Sequence, residues 1–518
     1  MNTLLNTDGY KTSHVRQYPE GTEFVYSNWT PRKSRIAGIT HVVHFGLQHF
    51  IKKWLIEDFN NNFFGVEKNL AVRQYKRIMD NYLGKGTVDC SHIEALHDLG
   101  HIPLLIKSLP EGSRVPMRCP AVTIINTDKR FFWLTNYIET MMSAELWGST
   151  TSATIAREYR SILTRWCEKT GGDPSFVQFQ GHDFSMRGMY GIDSAVLSGM
   201  GHLTSFVGTD TIPAIVALEK YYGANSDVEL VGCSVPATEH AVMCAGGKED
   251  EKETFRRLIC DTYPTGIVSV VSDTWDLWKV LTDYLPSLKH EILGRDGKLV
   301  IRPDSGDPVD ILCGMPKNAY MVIEGQYYRS EDVVILGNEV DMYAEKGAVP
   351  LSEAQVKGVI ELLWETFGGT FTSKGFKQLD SHIGAIYGDS ITLERAQQIC
   401  ERLAAKGFAS TNVVLGIGSY TYQYNTRDTF GFAMKATWCK VDGVARNIFK
   451  DPVTDDGTKK SAKGLVKVGV ENGDYVYYDE CTPLAEQEGC LQLVFLNGTM
   501  FNETTLSEIR GRVEKGLN

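Results

Sequence analysis

Five strand-like runs follow one another through the middle of the chain, and each stops on charged or hydroxyl-bearing residues. They are SFVQFQGHDF (175–184), HLTSFVGTDT (202–211), ELVGCSVPATEH (229–240), GIVSVVSDTWD (266–276) and KLVIRPDSGD (298–307). FKQLDSHIGAIYGDS (376–390) and STNVVLGIGSYTY (410–422) continue the series after a longer irregular region. Loops or helix-like segments separate them, and strand–helix alternation of this length predicts a parallel sheet, open or closed. Polar residues at successive strand ends favour a barrel with its site at that mouth. A doubly wound open sheet is the alternative architecture.

The flanks read differently. FVYSNW (24–29), HVVHFGL (41–47), LLIKSLPEG (104–112) and MRCPAVTIINTD (117–128) predict strands with turns. FFWLTNYIETMMSAELW (131–147) predicts a buried helix, and SATIAREYRSILTRWCEKT (152–170) a second one stopped by Gly171-Gly172. LSEAQVKGVIELLWETFGG and ITLERAQQICERLAAKG are also helical, the first with a Ser352–Gln355 capping box and the second with a Lys406-Gly407 stop. In the tail, YVYYDE and LQLVFLNG predict strands and 504–515 a short helix. The expected fold is α/β: an irregular parallel α/β barrel over 151–439, beside a discontinuous sheet-containing α/β domain made from 1–150 plus 440–518.

Composition narrows the function. The 518 residues are 42% hydrophobic and 23% charged, enough for a sizeable core. A net charge of -11 argues against a general nucleic-acid coat but permits a local basic pocket for a phosphorylated small molecule. The start, MNTLLNTDGYKTSH, has no apolar signal region, and no apolar run reaches membrane-spanning length. The 11 cysteines are odd in number and dispersed without a CxxC pair, which suits a reducing interior. A cytoplasmic protein without a membrane or nucleic-acid partner is the expectation.

The strand ends collect His182, Asp183, Arg187, Asp210, Glu239, His240, Asp273, Asp276, Arg302, Asp304 and Asp389. One polar residue at a strand end is ordinary loop chemistry; repetition over successive units points to one shared site. GIGSY (416–420) can offer the amides of Gly416 and Gly418 to a phosphate, or can be a tight turn that needs glycine. Arg427, Lys435 and Lys450 follow as cations that can grip pyrophosphate or merely solubilise a surface. His240 suits proton transfer or nucleophilic attack on phosphate, with a core or capping role as the alternative. No zinc spacing occurs, and the acidic residues can hold magnesium through phosphates and water, with the metal ligands unassigned. Tyr10, Phe179 and Phe184 can form an aromatic slot, although most aromatics are core residues.

TDGYK (7–11), GHDFSMRG (181–188), GTDT (208–211), SVPATEH (234–240), VSDTWD (271–276), IRPDSG (301–306) and FKDP (449–452) occur in this order along nearly the whole chain. Together they resemble the nicotinate/nicotinamide phosphoribosyltransferase family, whose fold is an irregular α/β barrel beside a second domain. The resemblance implies transfer of a phosphoribosyl group from 5-phosphoribosyl-1-pyrophosphate to nicotinamide, giving nicotinamide mononucleotide and pyrophosphate in NAD salvage. It also implies magnesium, coupled ATP hydrolysis through a phosphorylated histidine, and a homodimer with shared sites.

Residue roles follow from the same resemblance. His240, with Glu239 beside it, matches the phosphorylated histidine. Phe184 matches one face of the nicotinamide clamp, and Tyr10 of the partner subunit matches the other. Asp210 matches the acceptor of the carboxamide N–H, which favours the amide because nicotinate would set two anions together. Arg302 and Asp304 match groups at the ribosyl phosphate and ribose hydroxyls, with Asp304 among the catalytic set. Arg187, Ser272 and Asp276 belong to the substrate-binding set. Gly418 and Ser419 would cradle the 5′-phosphate, and Arg32, Arg427, Lys435 and Lys450 would hold pyrophosphate. GIGSY departs from a more glycine-rich phosphate loop, and 309–345 matches poorly. A nicotinate-specific enzyme and a non-catalytic binding or regulatory protein on the same scaffold are the alternatives.

Overall fold

The computed structural model describes residues 2–336, 341–345, 347–449, 462–515 and 517. Two large sheets organise it. One has six parallel strands in the order Gly208–Thr209, Gly181–Asp183, Val413–Ile417, Ile383–Tyr387, Asp296–Arg302 and Thr265–Val271. The segment after Val231 joins its two edges. The Thr209 amide donates to the Cys233 carbonyl at 2.9 Å, and the Ser269 amide donates to the Pro236 carbonyl at 2.9 Å. The parallel sheet is therefore curled and bridged into an irregular barrel, with every strand end on one rim.

The second sheet has seven strands: Val444–Asn447, Ala433–Val441, Thr22–Thr30, Val122–Asn126, Leu104–Ser108, Gln492–Leu496 and Thr499–Met500. All its pairings are antiparallel. Strands from both ends of the chain thus share one sheet, and a smaller hairpin, Leu465–Glu471 with Asp474–Cys481, forms its own ladder and packs against Tyr26 of that sheet.

Burial explains why the barrel forms. Val268, Val270, Leu299, Ile301, Ala385 and Leu415 turn outward and pack with Tyr159, Ile399 and Leu403 of the surrounding helices. Helix Leu393–Ala405 places Ala396, Ile399, Cys400 and Leu403 on one stripe, and the Thr392 hydroxyl accepts from the Arg395 amide at its start. Leu415 lies fully buried on an inner strand. Leu415→Ala should cost about 3 kcal/mol through lost transfer energy and a residual cavity. An earlier urea midpoint is the expected readout; an unchanged midpoint would show that the barrel tolerates the void.

Several expected elements differ in detail. SFVQF forms a 3-10 helix, Pro174–Phe179, and only Gly181–Asp183 is strand. HLTSFVGTDT begins in helix Ile192–His202 and contributes only Gly208–Thr209 to the sheet. ELVGCSVPATEH joins through isolated bridges rather than a strand. The helices expected over 131–147 and 152–170 join into one continuous helix, Glu139–Thr170, while the start of the first forms a separate short helix, Leu134–Tyr137. Conversely, the long helix expected from Ser352 is broken at Gly358, whose φ of 79° interrupts it between Glu353–Lys357 and Val359–Phe367. The Ser352–Gln355 capping box forms.

Candidate active site

Each parallel strand delivers polar residues to the rim as it ends. Phe184 follows Asp183; Asp210 follows Thr209; Asp273 lies just past Val271; Asp304 follows Arg302 and Pro303; Gly388-Asp389 follow Tyr387; and Gly418-Ser419 follow Ile417. Glu239 and His240 leave the closing segment, with His240 as the first residue of helix His240–Ala245.

One group surrounds Asp210. Its Oδ1 contacts His182 Nε2 at 2.9 Å and accepts from the Ser234 hydroxyl at 2.8 Å. Partial burial pushes this carboxyl upward, but the bonds from His182 and Ser234 outweigh it and hold the pKa below the ordinary aspartate value. The Phe184 ring lies 4.4 Å from the His182 ring, tilted by 33°. His182 thus touches both the half-exposed Asp210 carboxylate and the Phe184 ring. Asp183, by contrast, is fully buried and spent on Ser185 and Thr211.

A second group surrounds Asp304. Asp273 Oδ2 accepts from the Asp304 and Ser305 amides at 2.9 and 2.7 Å, while Asp273 Oδ1 faces His240 Nε2 at 3.4 Å. Arg302 donates to the Thr238 carbonyl, and its Nε lies 3.9 Å from Asp304 Oδ1. Arg302 Nε, Asp273 Oδ1 and Asp304 Oδ1 are buried without hydrogen-bond partners. Such groups are costly to leave unmatched, so their convergence marks a place where a polar ligand would restore lost bonds. Burial is the main force raising the Asp304 pKa; Arg302 and His240 pull it down, and Asp273 and Asp389 push it up. Gly418 closes on this group from the next strand, since a methyl there would lie 1.9 Å from Asp389 Oδ1. A methyl on Gly188 would collide with the Ser419 hydroxyl, so the Arg187 turn packs directly against the 418–419 loop.

A third group lies at the antiparallel sheet. Lys11 bonds Glu139, and Lys435 lies 3.7 Å from the same carboxylate. Burial lowers the Lys435 pKa, Glu139 opposes this, and Arg32, Lys11 and Arg427 lower it further. Lys11, Lys435, Arg32 and Arg427 therefore gather near Glu139, with Asp428 3.5 Å from Arg427, and the excess of cations makes a field that attracts a polyanion. Lys11 was absent from the sequence-derived set because its buried position is invisible in the pattern. Lys450 lies outside the described residues.

Other expected residues make their contacts within their own stretch of chain. The Ser272 hydroxyl is fully buried and donates to the Val270 carbonyl. Asp276 caps the turn Leu277–Lys279. Tyr10 is 59% exposed, with its ring against His14 and Lys11 of its own chain. Phe179 packs with Phe176 in the 3-10 helix. His182, Asp273 and Asp389 appear among the polar strand ends, yet their partners emerge only once the strands are assembled. Away from the rim, a cavity of about 160 Å³ is lined by Gln48, Glu111 and Arg512, and the Glu111 carboxylate there is already spent on Gly46, Gln48 and Tyr222.

The Nicotinate phosphoribosyltransferase (NAPRTase) family matches residues 179–493, more than half of the chain. The chain belongs to the nicotinate/nicotinamide phosphoribosyltransferase family. It is accordingly a pentosyltransferase of the nicotinamide/nicotinate branch of NAD salvage. The N-terminal domain of nicotinamide phosphoribosyltransferase separately matches residues 2–87. A nicotinamide phosphoribosyltransferase of Acinetobacter baylyi is 54% identical, over 100% of this chain and 98% of its own. One from Mycoplasma pneumoniae is 34% identical, over 89% and 94%. Among solved structures, the nicotinate-nucleotide pyrophosphorylase from Pyrococcus furiosus aligns with a TM-score of 0.53 at 14% identity, covering 99% of this chain and 95% of its own, which establishes shared fold.

Proposed function

We propose that this enzyme transfers the phosphoribosyl group from phosphoribosyl pyrophosphate to nicotinamide, giving nicotinamide mononucleotide and pyrophosphate. The observation that carries the choice of amide is Asp210, an ionised carboxylate fixed by Ser234 and by His182, whose ring lies against Phe184. A carboxamide N–H can donate to it, whereas a nicotinate carboxylate would repel it. The high identity to the Acinetobacter baylyi nicotinamide phosphoribosyltransferase supports the same reading.

Phe184 holds one face of the pyridine ring and orients its nitrogen toward the anomeric carbon. The exposure of Tyr10 supports a homodimer in which Tyr10 of the partner subunit covers the other face. Asp304 accepts from the ribose hydroxyls, and Arg302 faces the phosphate beside them. The amides around Gly418-Ser419 cradle the 5′-phosphate, next to Arg187. As the glycosidic bond to pyrophosphate breaks, negative charge grows on the leaving group, and Arg32, Arg427 and Lys435 stabilise it.

Asp273, Asp304 and Asp389 suit magnesium held mainly by phosphate oxygens and water. Two of them present unmatched buried oxygens, and among the described residues no three metal-binding side chains form a cage. Magnesium would neutralise phosphate charge there. His240, faced by Asp273 and half-exposed, is the acceptor for the phosphoryl group of ATP. Among the described residues no helix is long and apolar enough to cross a membrane, and we place the reaction in the cytoplasm.

The test is chromatography of products from nicotinamide or nicotinate, each with phosphoribosyl pyrophosphate and magnesium, with and without ATP. Nicotinamide mononucleotide, increased by ATP, is expected. Product from nicotinate alone would reverse the specificity, and no product from either would favour a binding role.

A further inference from the structure

Strand Ile383–Tyr387 ends in a residue that none of these roles uses. The Tyr387 side chain is 1% exposed, and its hydroxyl donates to the Gly306 carbonyl at 2.7 Å. Gly306, with φ of 94°, turns the Arg302–Gly306 loop back toward the barrel. The next amide, that of Gly388, donates to the Pro303 carbonyl at 3.2 Å. The loop is gripped on its opposite flank too, because Asp273 accepts from the Asp304 and Ser305 amides. Carbonyls are therefore bound by one strand end and amides by another, with Asp304 between them.

The fit is close. A methyl on Gly388 would lie 1.7 Å from Asp304 Oδ1 and 3.4 Å from the Arg302 side chain. Asp304 Oδ1 is buried and unmatched, so its direction is set by the backbone beneath it rather than by a partner of its own. The Tyr387 hydroxyl lies on the protein side of the loop, where it touches backbone rather than ligand.

We propose that Tyr387 is a positioning residue: together with Gly388 it fixes the Pro303–Gly306 loop so that the Asp304 carboxylate meets the ribose hydroxyls of phosphoribosyl pyrophosphate. The inference rests on the role given to Asp304 above. Its consequence is selective. Loosening the loop weakens capture of phosphoribosyl pyrophosphate and leaves the nicotinamide pocket around Phe184 and Asp210 intact.

The experiment measures kcat, the KM of each substrate and the thermal midpoint for Tyr387→Phe, Gly388→Ala and Asp304→Asn in the full-length enzyme. Tyr387→Phe removes only the hydroxyl and should raise the KM for phosphoribosyl pyrophosphate about fivefold to tenfold, the scale of one lost hydrogen bond. The KM for nicotinamide should stay within about twofold. Gly388→Ala should raise the same KM further while keeping the thermal midpoint, because its methyl meets the movable end of the Asp304 side chain. A Tyr387→Phe enzyme with a lower midpoint but unchanged KM values would overturn the proposal in favour of simple packing. If Tyr387→Phe does not fold, Gly388→Ala decides: an unchanged phosphoribosyl pyrophosphate KM overturns the proposal. An Asp304→Asn enzyme with normal KM would overturn the role of Asp304 and the proposal with it. A raised KM in Asp304→Asn, with neither loop variant affected, would overturn the positioning role alone.

Discussion

Asp210→Asn is expected to lower the nicotinamide-over-nicotinate ratio of kcat/KM by about 100-fold. Asp210 Oδ1 is already engaged by His182 and Ser234, so the carboxylate is oriented before substrate arrives. A nicotinate carboxylate about 4 Å away would meet a repulsion of about 4 kcal/mol at an effective dielectric near 20. The side chain is 46% exposed, and solvent screening reduces this to about 2–3 kcal/mol, which sets the expected ratio. Asparagine removes the charge and can present either its oxygen or its NH₂ group, so both pyridines find a partner. The pH dependence has a definite sign. Burial alone would raise the Asp210 pKa, but the His182 and Ser234 bonds lower it overall. The wild-type enzyme's Asp210 contribution should therefore be constant from alkaline pH down to about 5 and fade only below the usual carboxylate range near 4. The Asp210→Asn enzyme should lack that step after correction for titration of nicotinate itself. Initial rates with each pyridine, followed from alkaline pH down through about pH 3 so that the usual carboxylate range is crossed, provide the check. An unchanged ratio at neutral pH would mean that Asp210 does not contact the carboxamide.

The repeated strand ends made the barrel legible in the sequence, because parallel topology converts separate polar turns into one rim. Local pattern failed where tertiary burial decided the conformation. The sequence pattern leaves 148–151 between two helices, yet Leu146, Ser149 and Thr150 are buried and helix Glu139–Thr170 runs through that stretch. The SVPATEH segment looks extended but serves the barrel by bridging two edges with isolated hydrogen bonds. At the site, residue types were readable while partners were not. Nothing local says that His182 orients Asp210 across 28 positions, or that Asp273 binds the Asp304 amide across 31. Tyr387 was hidden for the same reason, since it reads as the last residue of a buried strand. Ser272 shows the converse: only the assembled sheet reveals that its hydroxyl is buried and donates to the Val270 carbonyl.

His240→Ala should reduce the ratio of rates with and without ATP to about one while preserving basal transfer at neutral and alkaline pH, because it removes the phosphoryl acceptor. His240 Nε2 faces Asp273 Oδ1 at 3.4 Å, whereas the pyridine group is built on Phe184, His182 and Asp210. The imidazole is also half-exposed, so its loss leaves little cavity and no large stability change. The link to Asp304 predicts a secondary effect. His240 is among the groups that lower the Asp304 pKa, so alanine should let it rise further. Asp304 would then become protonated at a higher pH, and basal activity should fall earlier on the acid side than in the wild type. Phosphate transfer from labelled ATP, scored as acid-labile label on the protein, supplies the direct measurement beside the rates. Label retained in His240→Ala would assign the acceptor to another residue. Label lost with ATP stimulation intact would separate phosphorylation from catalysis, leaving ATP to act through binding alone.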